Sequence, residues 1–328
     1  MPALADTRFD RLNLDLNDGV AVVRMDGGPL GMLDRPLVAD LARLVDLADH
    51  DPAIKAIVLT GARPDRFAGH ADVRWMREGS DNSPSVNRKA ASTIMRLAGA
   101  AAKSATVRRL AARTPLDGVI ELDRFHHTFT MMNTSSVIYI AAINGSALGG
   151  GAELAWACDA RIIADHDDAV IGQPEVLMGF NPGGGGTQRL SHLIGPHRAL
   201  MAILEGTSFT AAQALQLGAV DAVVSRDVLL DEAAAWARRF SARPTPAIGA
   251  IKRAVYFGAS APLREGLLAE RAEFLHVLGT PQAQAIMNAY VYDYESAGKL
   301  LLHEPASHQA AVDNGHWPTI PTARPPKH

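Results

Sequence analysis

The apolar run from Val137 to Ile143 leads straight into Asn144-Gly-Ser-Ala-Leu-Gly-Gly-Gly-Ala-Glu153, and this junction constrains the fold more than any other stretch of the chain. A short apolar run bounded by turn residues reads as a buried strand, and the glycines after it mark a turn and the start of a helix. The most apolar stretch, Val137 to Ala152, is broken at Asn144-Gly145 and ends on Glu153, which argues for a strand and turn and against a membrane helix. Glycines lack a Cβ, so a ligand oxygen can approach the main chain there, and the first N–H groups of a helix lack partners and carry the positive dipole end. Glu153 lies one short helical step behind. A carboxylate and anion-binding amides would thus surround one small volume, which suits acyl chemistry.

A second segment adds to this signal. Ile171-Gly-Gln-Pro-Glu175 precedes Met178-Gly-Phe-Asn-Pro-Gly-Gly-Gly-Gly-Thr-Gln-Arg189. In order, spacing and residue type, the segment from Ala141 to Glu153, then Cys158-Asp159, Gly172-Gln-Pro-Glu175 and Pro182 to Leu190, resembles the crotonase family and, within it, the enoyl-CoA hydratases. The resemblance runs from about Gly19 to about Ala297 and is strongest in the middle third. It implies an α/β, crotonase-like fold of repeated ββα units with a helical C-terminal region that builds a trimer interface, hence a homotrimer or hexamer. The domain expectation is a core over 1–195 with an inserted helical segment around 79–130, a helical region over 196–298, and a tail over 299–328.

The same resemblance implies the chemistry. Hydrating a double bond conjugated to a thioester needs water activated at C3, a proton delivered to C2, and stabilisation of charge on the thioester oxygen. Glu153 and Glu175 match the two family acids: Glu153 would orient and deprotonate the water, and Glu175 would hold it and supply the C2 proton. The Gly150 N–H would be one oxyanion donor. The other falls in the loop Arg66-Phe-Ala-Gly-His-Ala-Asp72, where counting from Phe67 to Asp72 selects Ala71 and aligning on Gly69 selects His70. Leu30, Gly31, Ala68, His70, Asp72 and Gly149 are the further substrate and CoA-binding candidates. Gly31 stands where the family usually has Asn, and the basic-aromatic signature of the last family helix is not evident in Tyr290 to Lys299, so the CoA phosphate contacts stay unassigned. Coenzyme A would enter as part of an acyl-CoA substrate, and no separate cofactor is expected. The alternatives are an isomerase or another crotonase-type acyl-CoA enzyme, or a non-catalytic protein that binds acyl-CoA or RNA.

Several features have plainer readings. A glutamate early in a helix is commonly a favourable charge near the dipole end. Cys158, the single cysteine, excludes an internal disulfide and reads as a small buried apolar residue. His126-His127 is an isolated pair that reads as structural or surface, and no metal is expected. The glycine clusters miss the dinucleotide frame, because Leu154 and Gln188 stand where its last glycine would, and Gly298-Lys299 is followed by Leu300, which rules out a P-loop.

A chain of 328 residues, 48% hydrophobic, can bury a large core. Its net charge of −3 gives no general attraction to nucleic acid or anionic membrane, so neither is expected as a partner. The N-terminus lacks a basic start followed by an apolar run, so a cytoplasmic location is expected. Strands are expected at Val20–Met25, Ala56–Leu59, Val137–Ile143, Arg161–Ala164 and Ala219–Val224, with a helix over Pro36–His50. From Pro196 onward the pattern is helical. The expanded stretch Gly79 to Thr130 reads as one or two extra helices, and its portion Ser85 to Arg113 carries seven basic residues and no acid. A solvated helical face is the favoured reading of that portion, with a basic lid for CoA phosphates as the alternative. The polar, Pro-rich tail from His303 to His328 is expected to be an arm or disordered.

Overall fold

The apolar runs read from the sequence lie side by side in the middle of one sheet. A computed structural model describes residues 3–74, 77, 86–101 and 117–319. Along these residues the strands are β1 (Leu12–Asn17), β2 (Val20–Met25), β3 (Ala56–Gly61), β4 (Arg66–Ala68), β5 (Ile138–Ile143), β6 (Ser146–Leu148), β7 (Ala160–Ala164), β8 (Val170–Gly172), β9 (Ser208–Thr210) and β10 (Ala222–Val224). The larger sheet has the order β1-β2-β3-β5-β7-β10; β1 runs antiparallel to β2 and the other pairs are parallel. β3 and β5 are buried at every position, as parallel strands covered on both faces must be. The smaller sheet, β4-β6-β8-β9, is parallel except where β9 joins β8.

The helices are α1 (Arg35–His50), α2 (Arg88–Ala101), α3 (Asp117–Thr134), α4 (Gly150–Ala157), α5 (Gly186–Ile194), α6 (Pro196–Glu205), α7 (Ala211–Leu217), α8 (Leu229–Ser241), α9 (Thr245–Arg253), α10 (Leu263–Leu278), α11 (Pro281–Ala297) and α12 (Pro305–Asn314). α1 begins where the Asp34 carboxylate accepts from the Leu37 N–H and Pro36 sets the first turn. Its Leu37, Leu41, Leu44 and Ala48 then fall on one stripe that enters the core, each large side chain contributing about 1.5–3 kcal/mol. α4 differs: all its residues are buried, Glu153 included, which makes it the central helix of the molecule. Asn144 fixes where α4 starts. Its side chain accepts from Gly61 N–H and donates to Arg63 O, so the end of β3 and the loop before β4 are tied to the turn that follows β5.

Some expectations need correction. The strand expected over Ala219–Val224 is only Ala222–Val224, because Gly218 caps α7 and the Ala219 N–H is spent on Ala214 O. β4, β6, β8 and β9 have three residues each, too few for a period to show. β1 does alternate, Leu12, Leu14 and Leu16 against polar residues, and is absent from the strands expected above. Within 79–130 the described residues form α2 and most of α3. Arg88, Lys89 and Arg96 are exposed on α2, whereas Lys103, Arg108, Arg109 and Arg113 lie outside the described residues. The tail is not without structure: Pro305 opens α12, Gly315 stops it, and Trp317 returns to α11, donating to Asp293 Oδ2 at 2.8 Å and packing its ring edge-on against Tyr290. Residues 320–328 lie outside the described residues. Among the described residues no helix is long and apolar enough to cross a membrane.

Candidate active site

The two glycine-rich segments meet at a cavity of about 320 Å³. β6 ends at Leu148, Gly149 turns with a positive φ of 52°, and α4 starts, so Gly149, Gly150 and Glu153 line the cavity from one side. β8 ends at Gly172, and the short turn Glu175–Met178 brings Glu175 in from another.

The two carboxyl groups have unlike surroundings. Glu153 is 2% exposed, and its Oε1 accepts from the N–H groups of Gly184 at 2.7 Å and Gly186 at 2.8 Å. Only glycine fits at 184, since a Cβ there would come within 2.3 Å of Glu153 Oε2 and 2.4 Å of the Phe125 ring. Burial raises the proton affinity of Glu153, while the Gly186 and Gly184 amides, then the charges of His126 and Arg189, oppose it. Glu175 is 5% exposed, and its Oε2 has no hydrogen-bond partner. Burial pushes it up to about 7, and the nearby Glu153 charge adds to the rise against its own backbone amide. One acid is thus gripped by main-chain donors and the other has no partner on Oε2, while burial raises the proton affinity of both.

The loop after β4 supplies amides. Leu33 N–H donates to His70 O at 3.0 Å, and Asp72 N–H donates to Leu33 O at 3.1 Å. In extended chain the polar groups of successive residues alternate sides, so those of Ala71 face away from Leu33. The Ala71 N–H donates to no other group among the described residues, and its nitrogen is 3.3 Å from where a Cβ on Gly150 would stand. This register turns Ala71, and not His70, toward Gly150. The His70 ring donates from Nδ1 to Ala71 O at 2.8 Å, and the residue lines the cavity.

Four of the CoA-binding candidates lie beside the cavity and not on it. Leu30 is 55% exposed, and its carbonyl accepts from Arg66. Gly31 O accepts from Gly69 N–H, Ala68 is buried against Gly151 of α4, and Asp72 is held bidentately by Arg74, which keeps its carboxyl below the usual range. The apolar lining comes from residues the sequence reading passed over, chiefly Leu33, Val38, Val119, Leu122, Phe125 and Phe180. Val119, Leu122 and Phe125 lie on α3, inside the expanded segment, and the spacing of Leu122, Phe125 and Phe129 is a helical stripe that could have marked them. Asp159 of the Cys158-Asp159 pair lies behind α4, accepting from Lys252 Nζ at 2.7 Å and the Tyr256 hydroxyl at 3.1 Å. Cys158 is fully buried, and burial pushes its thiol up. Among the described residues no three His, Cys, Asp or Glu side chains gather as a metal would need.

With this geometry in place, the likenesses can be weighed. The family model described as enoyl-CoA hydratase/isomerase matches residues 105–295. The alpha subunit of the fatty acid oxidation complex of Shewanella amazonensis is 32% identical over 219 residues, 66% of this chain and 26% of that protein. The corresponding subunit of Idiomarina loihiensis is 31% identical over 74% of this chain and 30% of its own length. The chain therefore spans less than a third of the curated relatives it matches. Among solved structures, enoyl-CoA hydratase subunit I of Geobacillus kaustophilus superposes with a TM-score of 0.68 at 30% identity, covering 88% of this chain and 97% of that one. An enoyl-CoA hydratase of Bacillus anthracis gives 0.68 at 25% identity, over 87% and 97%.

Proposed function

The chain belongs to the crotonase family of enoyl-CoA hydratases and isomerases, and from that premise we propose that it adds water across the 2,3 double bond of an enoyl-CoA thioester to give the 3-hydroxyacyl-CoA. The observation that carries this reading is a pair of buried carboxyl groups, one gripped by two amides and one without a partner on Oε2, on the wall of a single cavity beside the Gly150 and Ala71 amides. The thioester oxygen lies between those two N–H groups, which stabilise the charge it gathers as C3 is attacked. Water bridges the two acids. Glu153, ionised, takes a proton from the water as its oxygen bonds to C3, and Glu175, which burial keeps protonated up to about pH 7, gives its proton to C2. Passage of the proton from Glu153 to Glu175 restores both.

An isomerase moves a proton within the substrate and needs no water held by a second acid, so the paired carboxyls favour hydration. The acyl-CoA is the substrate, and Gly149 and His70 belong to the wall that meets it. The likeness to fatty acid oxidation subunits supports a place in fatty acid breakdown. The exposed apolar faces of α10 and α11 support assembly into a homotrimer or hexamer.

The test is loss of enoyl-thioester absorbance with a panel of enoyl-CoA substrates, with chromatography of the products. Glu153→Gln and Glu175→Gln should each lower turnover by roughly 10²–10⁴-fold with folding intact. Near-native hydration in both variants, or double-bond migration without hydration, would remove this mechanism.

A further inference from the structure

His126 lies on α3, inside the expanded segment, and is exposed to solvent. Its ring Nε2 is hydrogen-bonded to the carbonyl oxygen of Gly183. A carbonyl only accepts, so this ring nitrogen carries the hydrogen and donates. The Gly183 carbonyl and the Gly184 N–H are the two ends of one peptide unit, and that N–H donates to Glu153 Oε1 at 2.7 Å. One planar amide therefore connects the imidazole to the carboxylate, with a hydrogen bond at each end. Linked donors polarise one another, so a charge on the ring draws electron density toward the carbonyl and strengthens the N–H at the other end.

We propose that His126 is a positioning residue that acts through the Gly183–Gly184 peptide, holding the loop against Glu153 and, when protonated, favouring the ionised carboxylate. This rests on the hydratase reading only for its consequence in turnover. The rest of α3 supports the same role: Phe125 packs its ring against Gly184, and Asn133 accepts from the Arg189 guanidinium at 2.7 Å, so the helix holds both the Gly183–Gly184 turn and the first turn of α5. Other charges around this relay are Glu175 and Arg35 on the cavity wall, Arg189 on α5, and Glu121, Asp123, Arg124 and His127 on α3 itself, Glu121 also lining the cavity and pairing with Arg124 at 3.3 Å. From the other packed elements, α2 sets Gly99 against Asp123, and α9 reaches the far end of α3 through the bond from Arg253 to Thr134 O. The positive charges that act on Glu153 are those of His126 and Arg189, of which only the imidazole can lose its charge near neutrality, and Glu175, raised to about 7, is the acidic group coupled to it.

Two variants separate the parts of the proposal. H126Q keeps an N–H donor with no charge, and H126L removes both. In the pH profile of kcat/KM, the acid limb should move to higher pH in both, because Glu153 loses the charge that favours its ionised form. H126L should also lose roughly tenfold in kcat as the loop loosens, while H126Q keeps a near-native kcat on its plateau. A second measurement does not depend on turnover: an NMR titration of the His126 ring, assigned by its loss in H126Q, in the native protein and in E153Q. The His126 midpoint should fall in E153Q, since coupling between two sites is reciprocal. An acid limb unchanged in H126Q, or a His126 midpoint unchanged in E153Q, overturns the inference while leaving the hydratase reading in place. If the native protein hydrates no enoyl-CoA, the hydratase reading fails and the ring titration still decides on the coupling.

Discussion

Glu153 and Glu175 are the same side chain set in different surroundings, two amides on one and no partner for Oε2 of the other, and at the residue scale the burial of Glu175 sets the expected pH behaviour. The proposed hydration needs Glu175 protonated, so kcat/KM should fall as pH rises past about 7, where that acid loses its proton. Stability should follow the same group. Its proton affinity is raised on folding from 4.5 to about 7, so the stability it contributes is complete below the unfolded value and is lost as pH rises through the folded one. Glu175→Gln cannot ionise and escapes that loss. Thermal melts at pH 5 and pH 8 should therefore show E175Q gaining on the native chain by up to about 3 kcal/mol at the higher pH. A constant difference between the two proteins across that range would show that the carboxyl is not buried as described. The loop after β4 shows what residue counting alone could not decide, since Ala71 and His70 both fitted the motif. The register set by Leu33, bonded to His70 O and Asp72 N–H, turns Ala71 toward Gly150, and those bonds are not written in any local pattern.

At the scale of elements, α3 is where reading the chain succeeded least. The strands β3 and β5 were visible because both faces are buried and the apolar runs Ala56–Leu59 and Ile138–Ile143 are unbroken, and β2 because it opens on the apolar run Val20–Val23. The glycines around α4 were visible because the backbone approaches there leave no room for a side chain. α3 has ordinary amphipathic spacing, and the basic run ahead of it, Ser85 to Arg113, drew more notice than Leu122 and Phe125, so its contribution to the cavity wall emerges only once the chain is folded. The short strands β4, β6 and β8 escaped because pairing with one another, and not local propensity, makes them strands. The position of α3 leads to a prediction about acyl length. Leu122→Phe places a larger side chain on the cavity wall, and across a panel of enoyl-CoA substrates it should lower kcat/KM for long acyl chains by roughly 10-fold or more while sparing the shortest. Equal losses at every chain length would place the acyl group elsewhere.

At the scale of the whole molecule, the helical end of the chain is only half accounted for by its own contacts. α10 and α11 bury no residue, and Leu263, Leu268, Phe274, Leu275 and Tyr292 are each more than 60% exposed. Apolar faces of that extent are what the proposed trimer or hexamer would cover. Light scattering should therefore give a mass three or six times the 34.9 kDa of the chain, and a glutamate at Leu268 should lower it; a native mass of one chain would refute the assembly. The anchor of this helical end lies at Lys252 on α9, whose ammonium is bound by Asp159 and by Val137 O just before β5. Asp159 immediately follows the turn at the end of α4, so peeling the helical end away would leave an anion stranded beneath the helix that carries Glu153. Asp159 would keep only the Tyr139 N–H of its donors, so heat should loosen the outer helices and the floor under Glu153 together.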